Sequence, residues 1–508
     1  MYSQRSSDRG MTIMTTGENA VLRRFLLTGS ETGVYKAGSG GDLHIDAAPN
    51  FLRELTAAGP AVVDDILQPG NNTDAALFAL AAAASPRFAG KETNAKALAA
   101  LPLVAAKARD LVVFANYAGA MRGWGRGMRT AVSNWYEQQP PSHLAAQILR
   151  RPGKLLRDHR AILRRAHPKA GTLAQNAMYQ WISDGQLGHL ATSEIRQTGL
   201  RQAYGFELAK RAESTADILR LIEDYKLKPA LVPARWKSSA AVWEALFDHL
   251  SYRQILRYLG ALTQTGLLAR GASEYSALAV ARLADRRRIA AAGIHPLRIA
   301  SAMRRYRLAG HAIESIFDAL EEALHLAAEY ATPRIYGKRL LVALDATGSM
   351  QGATVSGMPE TPAALAAVTL ALSLVRASDR AEVVAFDQEV RNLDFSRGVR
   401  LAEALNQVGA KPSRSDVTAP LREAAWNRTR FDAIVIITDK LPRRSGLVDS
   451  WKMYQDAAGH PAKLLLLQLS SRDLSGWEAT AATDPDAIAF AGLDHHQSTQ
   501  TLHHFLSR

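Results

Sequence analysis

The feature that most constrains this chain is a change of rhythm about two-thirds of the way along it. Residues 18 to about 331 read as helix after helix. Alanine and leucine dominate, β-branched runs are scarce, and apolar residues recur at spacings of three and four. "NWYEQQPPSHLAAQIL" shows the punctuation: one helix stops at Pro140 and Pro141, and a new one is capped near Ser142. Helix pairs recur at irregular intervals without a strict repeat, which suits a loose helical-repeat solenoid or an ordinary helical domain. After "TPRIYGK" the pattern changes. The apolar runs "LLVAL", "EVVAF", "DAIVII" and "KLLLLQL" alternate with helical stretches such as "PAALAAVTLALSLVRA". Continuous apolar strands alternating with helices build a parallel sheet covered on both faces, so residues 337–508 read as a doubly wound α/β domain. The polar first 17 residues read as a flexible tail.

A chain of 508 residues is too long for one ordinary core and implies two to four domains. It contains no cysteine, which excludes disulfides, thiolate metal sites and cysteine nucleophiles. Its most apolar windows are too short to cross a bilayer or are broken by Lys107, Arg109 and Asp110, and no secretory signal is visible. The expectation is a cytoplasmic protein that does not enter a membrane. The formal net charge of +14 is unevenly placed. Residues 101–310 hold 33 lysines and arginines against 14 aspartates and glutamates, so the whole excess sits in the helical part. A basic field of that size speaks of partners, nucleic acid first, although solvated arginines from a compositional bias would give the same count.

The first strand of the α/β domain ends in "LLVALDATGSMQG". Ligands of doubly wound sheets bind beyond the carboxyl ends of the strands, where Asp345, Thr347 and Ser349 fall. A later apolar run, "DAIVIITDK", also ends in an acid, Asp439, after Thr438. Two carboxylates with hydroxyls between them form an all-oxygen set suited to a hard divalent cation, Mg²⁺ in particular. The plainer alternative is a turn whose Thr and Ser cap the next helix. Nothing in the set resembles a catalytic pair, since no histidine or lysine is placed as a general base.

In the helical part, "KLLRDHRAILRRAHPK" puts Arg157, Arg160, Arg164 and His167 on one helix arc of roughly 80°. Leu155, Leu156, Ile162, Leu163 and Ala166 take a neighbouring arc, so the helix docks by one side and offers cations on another. Arginine's planar fork suits both phosphates and base stacking. Arg253 and Arg257 share a face, and Arg201 follows a turn. Trp124, Trp135 and Tyr136 in "RGWGRGMRTAVSNWY" read as core, and no aromatic stacking platform is obvious. His295 before Pro296 reads as a helix cap, with an RNA contact as the lesser alternative.

The pattern Asp-x-Thr-x-Ser at 345–349 resembles the metal-ion-dependent adhesion site of von Willebrand factor A domains. The resemblance implies a third loop with a threonine. "KPSRSDVTAP" puts Ser415 in that place, with Arg414 where a glycine would be and Thr418 as a less suitable substitute. "RFLLTGSETGVY" (24–35), "RGWGRGMRTAVSNWY" (122–136) and "IHPLRIASAMRRYRLAGHA" (294–312) closely resemble the TROVE module of the Ro ribonucleoprotein family, in which an A domain follows. That resemblance implies a HEAT-like helical toroid over 18–331, closed by the A domain, with a basic central hole. It further implies single-stranded 3′ ends of misfolded noncoding RNA in the hole, small Y-like RNA on the outer surface, and no catalysis. His167 and Lys169 match the family segment that lines the hole. A closed ring implies a monomer, and any RNA processing falls to a partner exoribonuclease. The competing class is a metal-dependent protein-interaction module with a peptide-binding solenoid.

Overall fold

The computed structural model describes residues 20–493 apart from short internal segments, the longest being 37–42, 188–198 and 471–485. The first 17 residues, read as a tail, lie outside the described residues. Helices follow one another from Ala20–Thr28 to Glu314–Ala331. Some start where a short polar side chain takes up free amide groups: Asn72 accepts from Asp74 N and Ala75 N at 3.0 and 3.1 Å, and Asp285 and Ser214 do the same for theirs. Ser251 and Gln254 form a reciprocal capping box. His295 is the expected cap, its Nδ1 accepting Leu297 N–H at 3.1 Å. At the proline pair the expectation needs correcting. The helix runs Pro141–Ile148, so Pro141 occupies its first turn and Ser142 lies inside. A proline there loses no hydrogen bond, and no side-chain cap forms.

The seven-stranded sheet comprises β1 (Val34–Lys36), β2 (Ile335–Asp345), β3 (Ser378–Phe386), β4 (Val390–Leu393), β5 (Ala433–Thr438), β6 (Lys463–Gln468) and β7 (Ala487–Ala491). Their order is β1-β7-β6-β5-β2-β3-β4, parallel except for β4 against β3. β5 and most of β6 are buried along their length, as their unbroken apolar sequences require. One side chain set packs with Trp451 and Tyr454; the other joins the large core that continues into the helical array.

β1 belongs to the amino-terminal end of the helical array, yet it pairs with the sheet edge, Val34 opposite Ala489 and Lys36 opposite Ala491. The last two helices before β2, Pro296–Leu308 and Glu314–Ala331, pack on Ala363–Ala377 of the α/β domain. Polar contacts cross the same seam. Ser301 Oγ lies 2.8 Å from Thr361 Oγ1, Arg400 reaches Asp318 at 2.6 Å, and Leu401 N–H donates to Glu321 Oε1 at 2.7 Å. The array therefore begins and ends on one domain, which is the topology of a closed ring. β1 also covers an edge that would otherwise expose unpaired backbone groups.

Candidate nucleic-acid interface and cation site

β5 lies beside β2 with Ile437 opposite Leu344, so Asp439 and Asp345 arrive together at neighbouring carboxyl ends. Asp345 is buried and takes hydrogen bonds on both oxygens. Thr347 donates to Oδ1 through its amide at 2.9 Å and its hydroxyl at 2.7 Å. Ser415 Oγ and Thr438 Oγ1 donate to Oδ2 at 2.6 and 2.7 Å. Ser349 Oγ lies 2.9 Å from Thr347 Oγ1 and donates to Asp439 Oδ1 at 3.1 Å. Thr418 is elsewhere, bonded to Asp416 Oδ1 at 2.6 Å. Burial, and secondarily the nearby Asp345 carboxylate, push the Asp439 carboxyl up.

Arg414 and Lys440 are exposed, and among the described residues no basic side chain pairs with either acid. The donors are all oxygen and carry at most two negative charges. No group of three or more histidines and acids assembles among the described residues. That chemistry fits Mg²⁺, which needs one or two carboxylates and retains water. A cavity of about 590 Å³ opens beside the cluster at the seam, with Asp345 and Thr347 in one wall and Met303 and Phe317 in another.

A basic cavity of about 730 Å³ lies between the helices Ala108–Met121 and Pro152–Ala166. His159 fixes these helices together. It is fully buried, and its Nε2–H donates to Ala108 O at 3.0 Å while Nδ1 accepts from Tyr136 O–H at 2.7 Å. Burial lowers its pKa to about 4, so the ring is a neutral strut. Six cations line the cavity: Lys107, Arg109, Arg150, Arg151, Lys154 and Arg165. Among the described residues Arg109 alone of the six pairs closely with an acid, its Nη1 and Nη2 lying 3.0 and 3.1 Å from the carboxylate oxygens of Asp74, while Lys107 acts on the Asp110 carboxylate from further off. Asp158 is the single acid in the described wall, 3.9 Å from Arg157 Nε. Trp124, half-buried, closes one end with the Arg165 guanidinium over its ring at 5.5 Å.

Family models match in the expected order, the TROVE domain over residues 231–336 and the Ro60 vWA domain over 339–506. The chain is 28% identical to the RNA-binding protein RO60 of Deinococcus radiodurans, over 92% of this chain and 90% of that one. It is 24% identical to the RNA-binding protein RO60 of Caenorhabditis elegans, over 99% of this chain and 90% of that one. The crystal structure of the Deinococcus radiodurans RO (RSR) protein superposes with a TM-score of 0.80 at 27% identity, covering 97% of this chain and 99% of that one. The chain belongs to the Ro family.

Within this Ro fold the cavity uses a different face of the 152–166 helix from the expected one. Lys154 and Arg165, eleven residues apart, lie within about 20° of each other, whereas Arg157, Arg160, Arg164 and His167 centre roughly 120° away and take no part in the wall. Arg157, Arg164, His167 and Lys169 are exposed. His167 ends the helix in the left-handed region at φ 51°, and Lys169 N–H donates to Glu137 Oε1 at 3.1 Å. Three other expected RNA contacts spend donors on helix ends. Arg160 Nε donates to Ile182 O at 2.9 Å, Arg201 to Asp224 O, and Arg253 to Ala292 O at 2.7 Å. Arg235 on Ala212 O and Arg282 on Phe247 O repeat the device, so part of the arginine excess holds carbonyl ends together. Arg257 lies over the Tyr258 ring at 5.5 Å.

Trp135 and Tyr136 are fully buried as expected, and Trp124 is half-buried, packed against the core and at the same time lining the cavity. Sequence reasoning missed Arg150, Arg151, Lys154 and Arg165. The cluster "ILRRPGK" at the start of a helix was the visible signal for the first three.

Proposed function

We propose that this Ro-family chain is a noncatalytic RNA-binding scaffold whose basic cavity takes a single-stranded segment. The carrying observation is the cavity itself: six cations and one acid around a space of small-molecule size, with five of those cations in no close ion pair among the described residues. The relatives named as RNA-binding proteins support the same reading. In its finer form, the ring holds single-stranded 3′ ends of misfolded noncoding RNA. Its outer surface carries small Y-like RNA, processing is left to a partner exoribonuclease, and the closed ring is monomeric. Arg157, Arg164, His167 and Lys169 then belong to a second RNA-facing surface.

The test is binding of a labelled RNA with a free 3′ tail, alone and after the tail is paired with a complementary strand. Tight binding of the tailed form, with clear loss on pairing, is the expected result. Equal binding of both forms removes the single-strand assignment.

Asp345, Thr347, Ser349, Ser415 and Asp439, joined by Thr438, are proposed to hold Mg²⁺ or another divalent cation. The cation would supply positive charge that an acidic side chain could complete. That cluster favours a second reading, a metal-dependent protein-interaction site on the same ring. Protein capture that a chelator abolishes, from material free of RNA, would support it.

A further inference from the structure

We propose that the basic cavity recognises an unpaired nucleobase, seated against Trp124 and Arg165, and does not act as a phosphate groove alone. The inference rests on the RNA reading above and names what the cavity reads. Its cations are divided. Arg150, Arg151 and Lys154 gather where the 152–166 helix begins, and Lys107 stands at the start of the 108–121 helix. Arg165 stands alone near the other end, above Trp124. From Lys154 to Arg165 the helix rises about 16 Å, longer than one nucleotide. Asp158 lies between them and disfavours a phosphate at mid-cavity.

A strand entering here meets phosphate donors at one end and, at the other, the planar Arg165 guanidinium lying over the Trp124 ring. Nucleobases stack on tryptophan and on arginine planes regardless of sequence, so the site reads "unpaired base" and not a particular base. The floor is compatible with that. Val112, Val113, Leu155 and Ile162 give an apolar bed that a phosphate alone would not use.

Other exposed aromatics offer less. Trp426 is 87% exposed on the α/β domain, but it lines neither of the two described cavities.

The experiment uses the whole chain and a labelled single-stranded RNA, normal or carrying abasic sugars along its length, at fixed salt. Stacking of one base on an aromatic side chain corresponds to about 5- to 150-fold in affinity. The abasic RNA is expected to bind the parent protein weaker by a factor in that range. Trp124→Leu should lose a similar factor for normal RNA and nothing further for abasic RNA. Trp124→Phe should retain most of the discrimination. Equal affinity of the parent for normal and abasic RNA overturns the proposal without any variant. So does a Trp124→Leu loss that is the same for both RNAs, which would mean altered structure instead of a lost base contact. Failure of the underlying RNA reading looks different: Arg150→Gln, Arg151→Gln and Lys154→Gln together would leave binding of both RNAs unchanged.

Discussion

The triple substitution Arg150→Gln, Arg151→Gln and Lys154→Gln isolates the electrostatic part of the argument. Each phosphate neutralised on a single strand releases counterions and contributes about −0.7 to the slope of log affinity against log salt. The five cavity cations outside strong ion pairs are Lys107, Arg150, Arg151, Lys154 and Arg165. If each meets one phosphate, the slope is about −3.5, and raising salt fourfold weakens binding about 130-fold. With three charges gone the slope falls to about −1.4, and the same salt change costs only about 7-fold. Glutamine is shorter than arginine or lysine but stays polar, so the salt slope, and not the affinity at one salt, is the readout of charge. The assay is fluorescence anisotropy of a labelled single-stranded RNA at a series of salt concentrations. A variant whose affinity drops while its slope stays at the parent value would refute the reasoning, because the phosphates would then be neutralised elsewhere.

Further outcomes follow from the same geometry. The His159 ring is neutral in the fold with a pKa lowered to about 4 from 6.5, so the unfolded chain binds the extra proton between those values. Its contribution is complete above about pH 6.5 and is lost as pH falls toward 4, up to about 3 kcal/mol, which His159→Gln should remove from a series of chemical denaturation curves. Tyr136→Phe leaves Nδ1 of that ring without a donor and should cost about 1–3 kcal/mol of stability in the same measurement. Mg²⁺ should raise the melting temperature of the parent but not of Asp345→Asn. In chelator, Asp439→Asn should melt no lower than the parent, because the substitution removes a buried charge that Asp345 opposes. An equal Mg²⁺ response in all three proteins would exclude a site at these residues. Arg253→Ala should cost about 1 kcal/mol by freeing Ala292 O while leaving the salt slope of RNA binding unchanged. A reduced slope would return Arg253 to the RNA surface.

The oxygen cluster was readable because a strand hands its last residue to a fixed place. Once "LLVALD" and "DAIVIITD" are parallel strands, Asp345 and Asp439 must appear at the same edge of the sheet. Adjacency then needs only the strand order, which the sheet supplies. Thr438 escaped notice as a partner because period-two alternation says which face it takes, not that Asp345 Oδ2 lies within reach. β1 was invisible for a different reason: three residues carry no periodicity, and their pairing with β7 is a contact across more than 450 positions.

For the basic half, the sequence alone determined that helices form, that the cation excess lies on them, and which residues share an arc. It could not determine which arc meets a neighbour, since the 152–166 helix carries cations on two sides. Packing chose between them. Buried His159 locks the helix against Ala108, which turns Lys154 and Arg165 into the cavity and leaves Arg157, Arg164 and His167 exposed, with Arg160 tied to Ile182 O. Trp124 packs against the core and also lines that wall. Periodicity is a property of one helix, whereas a cavity belongs to the surfaces of several, and only the tertiary structure sets their relative rotation.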